Sequence, residues 1–128
     1  MTNATLRIYV VDDDESARMG LRRLLRSSGF QVEIFGSAQE FLDHGPVEEG
    51  GLIILDVRMP GVNGLELQKR LATKGSKLPI IFITGFEDPL ARGEALKSGA
   101  IAFLQKPVDE QTLLGAIEAA FLRQANRK

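Results

Sequence analysis

The chain has 128 residues and a net charge of −1, from 16 Lys plus Arg against 17 Asp plus Glu. Its length suits one domain, and 44% hydrophobic with 26% charged residues is the make-up of a globular chain rather than a disordered one. The charge balance lacks the basic excess that drives nucleic-acid binding, and the absence of Cys with a single His excludes a disulfide framework, a thiolate nucleophile and a multi-His metal site within one chain.

The elements follow in chain order. Leu6 to Val11 predicts a first strand that runs into Asp12-Asp13-Asp14. This short apolar stretch is unlike a signal peptide, and no run approaches the roughly 18 apolar residues of a membrane span. The expected compartment is therefore the cytoplasm, with no membrane partner. Glu15 to Ser28 places Ala17, Leu21, Leu24 and Leu25 on one helical face, with Asp14 to cap its start and Gly29 to close it. Phe30 to Phe35 alternates apolar and polar residues, which predicts a strand near a sheet edge. Ser37 and Glu40 form a capping-box pattern for a short helix to about Asp43, followed by the loop Gly45 to Gly51.

Leu52 to Leu55 is continuously apolar, which predicts a strand buried on both faces, and it ends in Asp56. Asn63 can cap a helix whose apolar positions are Leu65, Leu67, Leu71 and Ala72. Pro79 to Ile83 predicts another buried strand, ending in Thr84. Glu87 to Ser98 predicts a weak helix, because Gly93 in its middle costs about 1 kcal/mol relative to Ala. Ala100 to Leu104 predicts a fifth strand, just before Lys106-Pro107. Asp109 can cap a last helix with Leu113, Ile117, Ala120 and Phe121 inward, and the polar stretch beyond reads as a fraying tail.

Strand–helix alternation of this kind predicts an α/β fold. Right-handed crossovers leave few topologies, of which a single flavodoxin-like (βα)5 doubly wound domain, with a parallel five-stranded sheet of order 2-1-3-4-5 and helices on both faces, is a common one and the one expected. The domain is expected over residues 1–122, with 123–128 as a tail or the start of a linker.

In a parallel sheet the C-terminal ends of the strands share one edge, where ligands bind. The residues there are Asp12 and Asp13, then Asp56, Thr84 and Lys106. Converging carboxylates repel unless a cation neutralises them, and an all-oxygen set selects a hard cation such as Mg²⁺, with Mn²⁺ as a second candidate. An aspartate beside such an ion can attack phosphorus and become an aspartyl phosphate. Lys106 and Thr84 can then serve the phosphoryl oxygens. Singly, each group has an ordinary explanation as a helix cap, a turn residue or a solvated charge. Their conjunction at the correct strand ends is what carries the reading.

The motifs Val10-Val11-Asp12-Asp13-Asp14, Ile54-Leu55-Asp56-Val57-Arg58-Met59-Pro60-Gly61 with Gly64, Ile83-Thr84-Gly85, Gly99-Ala100 and Lys106-Pro107 resemble the receiver domain of two-component response regulators along nearly the whole chain. The resemblance implies Asp56 as phosphoacceptor. It implies direct Mg²⁺ ligation by Asp13, Asp56 and the backbone carbonyl of Arg58, with Asp12 acting through water. Lys106 would pair with the phosphoryl oxygen, Thr84 and Phe103 would form a switch pair, and the peptide before Pro107 would be cis. Such a domain catalyses only its own phosphorylation and dephosphorylation and is not otherwise an enzyme. Arg18, Arg22 and Arg26 form a basic stripe on the first helix, where related receivers dock a histidine kinase.

The implied partners are a histidine kinase or phosphotransfer protein, and a second copy of the chain in a phosphorylation-dependent homodimer. DNA would be reached only through an output domain outside this sequence. The wording around Arg58 and Thr84 is similar to receivers joined to LuxR-type helix-turn-helix transcription regulators. The alternative is a stand-alone receiver acting by protein–protein interaction or in a phosphorelay. A phosphohydrolase fits less well, since Arg58 stands where such enzymes often carry a second Asp as general acid. A nucleotide- or flavin-binding domain lacks its glycine-rich loop after the first strand.

Overall fold

The structure, a computed structural model, describes residues 7–44 and 50–125, with side chains described through residue 122. The expected strand start at Leu6, most of the Gly45 to Gly51 loop and the last residues of the tail lie outside the described residues.

Ten elements alternate: β1 (Arg7–Val11), α1 (Glu15–Ser27), β2 (Gln31–Phe35), α2 (Ala38–His44), β3 (Leu52–Asp56), α3 (Gly64–Thr73), β4 (Ile80–Thr84), α4 (Pro89–Lys97), β5 (Ala102–Gln105) and α5 (Glu110–Ala125). The strands form one parallel sheet in the order β2-β1-β3-β4-β5. This is the expected architecture, with β2 at an edge as its alternating pattern required. The two-residue strand period divides the core. Ile8, Val10, Ile54, Ile81 and Ile83 face α1 and α5, against Leu25, Leu113 and Ile117. Tyr9, Val11, Ile53, Leu55 and Phe82 face the layer of α2, α3 and α4, against Phe41, Leu67 and Ala95.

The helix starts follow their caps. Asp14 accepts from Ser16 N at 3.2 Å, Asn63 from Glu66 N at 2.9 Å, and Asp109 from Thr112 N at 2.9 Å. Ser37 accepts from Glu40 N at 3.1 Å, while the Glu40 carboxylate reaches one residue beyond a standard capping box to Gly36 N, at 3.0 Å. Gly29, at φ 95°, provides the left-handed residue that ends α1.

Four details differ from the sequence expectations. α4 starts at Pro89 rather than Glu87, because the Asp88 side chain caps it by accepting from Ala91 N at 3.1 Å. β5 starts at Ala102 rather than Ala100, since Ala100 N bonds to Ala95 O at 3.0 Å and still belongs to the end of α4. Ala72 is exposed, and Gln68 is buried in α3 instead, donating from Nε2 to Ala95 O at 3.1 Å. α5 continues past the expected end at Phe121 to Ala125. No described helix is long and apolar enough to cross a membrane.

Candidate functional site

The C-terminal ends of β1, β3, β4 and β5 bring the expected groups to one edge. Asp12, Asp13 and Asp56 each offer a carboxylate oxygen, and these oxygens lie within 4.8 Å of one another. Asp12 and Asp56 are buried, 2% and 6% exposed, while Asp13 faces solvent. Lys106 follows β5 through a cis peptide to Pro107. Its Nζ stands 2.8 Å from Asp12 Oδ2 and 3.7 Å from Asp56 Oδ2, a cation between two buried anions.

The acidic loop is held by its own backbone. Asp12 N bonds to Phe35 O at 3.1 Å, and Asp14 N donates to Asp12 Oδ1 at 2.9 Å. Arg18 reaches back from α1 and donates to Asp12 O at 2.8 Å. It therefore braces the acidic loop, a role that the stripe of Arg18, Arg22 and Arg26 did not reveal. Arg26 is exposed and Arg22 half-buried.

Asp56 is equally constrained. Gly64 N donates to Val57 O at 2.8 Å and closes the loop after β3. A Cβ on Gly64 would overlap the Asp56 carbonyl oxygen and press on the Phe82 ring, so glycine is required by close approach. The Arg58 backbone N–H favours the ionised Asp56 carboxylate.

Burial, together with the neighbouring Asp12 charge, raises the Asp56 pKa from 3.8 to about 7, against the opposing pull of Lys106. Burial alone would lower the Lys106 pKa. The Asp12 hydrogen bond and the surrounding aspartate charges outweigh it and raise the value instead. The site thus stores more negative charge than Lys106 alone offsets. A divalent cation matches that deficit.

Thr84 is 1% exposed, and its Oγ1 accepts from Phe86 N at 3.3 Å, which leaves its proton available to a ligand. Its carbonyl accepts from Lys106 N at 2.7 Å, joining the two strand ends. Phe103 is already buried, its ring 6.0 Å from that of Phe82. Arg92 of α4 donates to the Phe103 carbonyl at 3.1 Å.

Sequence reasoning missed the roles of Asp88 and Arg18. The Asp88-Pro89 pair, a capping residue before a first-turn proline, was the available signal for Asp88. Nothing local marks Arg18, whose partner depends on how the first helix returns over the loop before it.

The chain is similar to known proteins along most of its length. The family model described as the response regulator receiver domain matches residues 8–118. The transcriptional regulatory protein FixJ of Bradyrhizobium diazoefficiens is 47% identical over 118 residues, covering 92% of this chain and 57% of the relative. The solved structure of the response regulator StyR aligns with a TM-score of 0.88 at 49% identity, over 95% of this chain and 62% of that one. The structure of FixJ-N aligns with a TM-score of 0.85 at 36% identity, over 91% of this chain and 94% of that one. The chain spans little more than half the length of the curated relatives it matches.

Proposed function

The chain belongs to the response regulator receiver domain family, and from that premise we propose that it is a phosphorylation-dependent switch with Asp56 as phosphoacceptor. The observation that carries the reading is the convergence of the Asp12, Asp13 and Asp56 carboxylates within 4.8 Å, beside the Lys106 ammonium.

The donor set fits Mg²⁺, or Mn²⁺ in its place: hard carboxylate oxygens, one of them on a solvent-facing residue, with a charge deficit that Lys106 does not cover. Asp13, Asp56 and the Arg58 carbonyl would hold the ion, with Asp12 acting through water. Bound there, the ion supplies positive charge to the phosphoryl oxygens and favours the ionised form of Asp56.

The chain's own residues do the rest. An Asp56 carboxylate oxygen bonds to phosphorus as the bond from phosphorus to the donor breaks, nitrogen in a phosphohistidine or oxygen in acetyl phosphate. The electron pair leaves with the donor. Lys106, already between Asp12 and Asp56, follows the negative charge onto the phosphoryl group. Thr84 donates its proton to the same group, and Phe103 fills the space behind it. No outside substrate is turned over.

The phosphoryl donor is a histidine kinase or phosphotransfer protein, docked on α1 at Arg22 and Arg26. The relatives named as transcriptional regulators favour a transcriptional output, with phosphorylation pairing two copies and an additional domain contacting DNA. On this reading residues 1–122, with the end of α5 to Ala125, are the receiver, and what remains is a tail or the start of a linker. A stand-alone receiver signalling through protein contacts or a phosphorelay is the alternative, and the cytoplasm is the compartment for either.

Intact-protein mass after incubation with acetyl phosphate and Mg²⁺ tests the reading. One phosphoryl group should be gained, dependent on the metal and absent from Asp56→Asn. A mass gain that survives in Asp56→Asn would overturn the assignment of the phosphoacceptor. No gain in a folded, Mg²⁺-bound chain would overturn competence toward a small donor.

A further inference from the structure

Three side chains outside the acidic cluster are joined across the mouth of the site. Arg58 Nη2 donates to Asp88 Oδ2 at 3.0 Å, and the Arg58 guanidinium carbon sits 5.1 Å from the centre of the Phe86 ring. Asp88 divides its carboxylate between two tasks. One oxygen takes Arg58, while the other caps α4 by accepting from Ala91 N at 3.1 Å.

Two cords thus run from the site to the same turn. One leads from Asp56 along the chain to Arg58, two residues on, whose side chain pairs with Asp88. The other leads from Thr84, whose hydroxyl accepts from Phe86 N. An exposed ion pair by itself contributes little. This one holds the cap of a helix that buries only Ala91 and Ala95 in the core, so a small contribution decides where the helix starts.

We propose that Arg58 and Asp88 form a charge clasp that fixes the N-terminus of α4 to the site loop, and that phosphorylation opens it by drawing the Arg58 guanidinium from Asp88. The opening step rests on the function proposed above. Arg58 stands two residues after Asp56, and its side chain lies along a groove of about 510 Å³ bordered by Val57, Met59, Asn63, Asp88 and Ala91, which gives it room to swing. A phosphoryl group offers its oxygens to both prongs of the guanidinium, where Asp88 engages Arg58 through one oxygen. Once Arg58 leaves, Phe86 loses its stacking partner and Asp88 keeps only the cap. Arg58 and Asp88 are positioning residues in this scheme.

Hydrogen exchange across residues 88–97 tests it, with intact mass read on the same samples. Asp88→Asn retains an oxygen for the Ala91 N–H but drops the charge. Arg58→Met retains an apolar stem over Phe86. In the unmodified chain each should speed exchange there by about two- to fivefold, the double variant no further, and Arg58→Lys should recover part of the protection. Phosphorylation should speed exchange in the parent by a similar factor and add little in the variants.

Unmodified variants that exchange like the parent, or single effects that multiply in the double variant, would overturn the clasp. Phosphorylated variants that still gain the parent's full factor would overturn the opening step. A parent that gains no phosphoryl mass would overturn the function proposed above and the opening step with it, while the unmodified samples still decide the clasp.

Discussion

α1 and α4 both border the site, and they are attached to the sheet by different means. α1 buries Leu21 and Leu25 in the core, with Leu24 packed beside them. α4 buries two alanines and leaves Leu90 87% exposed. Polar ties hold it instead: Gln68 to the Ala95 carbonyl, Arg92 to the Phe103 carbonyl, Lys69 to Glu94 at 3.0 Å, and Arg58 to Asp88. Apolar burial is proportional to area and indifferent to direction, so α1 is a fixed wall behind the acidic loop. Hydrogen bonds and ion pairs are directional, and each can be exchanged for another at little net cost. The helix that follows Thr84 is therefore the one that can be repositioned without unfolding the domain.

The largest test of this contrast is a pair of truncations followed by chemical denaturation. Leu25→Ala should cost about 2–5 kcal/mol, since it removes a fully buried side chain from a close-packed layer. Ala95→Gly should cost only about 1 kcal/mol, the helix-propensity difference. Equal losses would show α4 to be as firmly seated as α1. Next comes Gln68→Met, which keeps the volume and drops the bond to Ala95. It should cost about 1 kcal/mol and loosen α4 specifically, seen as faster amide exchange at residues 91–97 with residues 15–27 unchanged.

A third test reads pH dependence. The Asp56 pKa is about 7 in the folded chain against 3.8 for an ordinary carboxyl. Between those values the folded state binds the extra proton, so this group's contribution to stability is full below about 4 and is lost as pH rises toward 7. Metal-free protein should show this decline in denaturation midpoints, and Asp56→Asn should flatten it. Mg²⁺, which favours the ionised carboxylate, should oppose it. An unchanged slope in Asp56→Asn would assign the decline to another group.

The sequence made the sheet and the site edge legible because both rest on local signals. Apolar strand runs end in Asp12, Asp56 and Thr84, and Asp14, Ser37, Asn63 and Asp109 stand where helices start. Handedness rules then leave few strand orders, the observed one among them, and placing those residues on one edge needs no side-chain detail. The missed features are pairings between residues distant in the chain. Gln68 is buried because Ala95 offers it a carbonyl, and no periodicity within its helix distinguishes it from Ala72. Arg18 shares the spacing of Arg22 and Arg26 and so reads as part of a surface stripe, whereas its length lets it fold back onto Asp12. Gly93 marks α4 as weak, but a helix taken from Glu87 puts Asp88 inside it and hides the cap.

The loop after β3 returns on itself, with Gly64 N bonded to Val57 O at 2.8 Å and no room for a side chain at Gly64. That closure leaves the loop's exposed side chains, Arg58 and Pro60, open to change, while Met59 packs in the core and Asn63 caps α3. Whatever stands at those outward positions, the Asp56 backbone is seated by the knot behind it. Descendants of this chain are therefore at liberty to rewrite those positions, and with them what borders the acidic cluster, while inheriting the Asp56 seat unaltered.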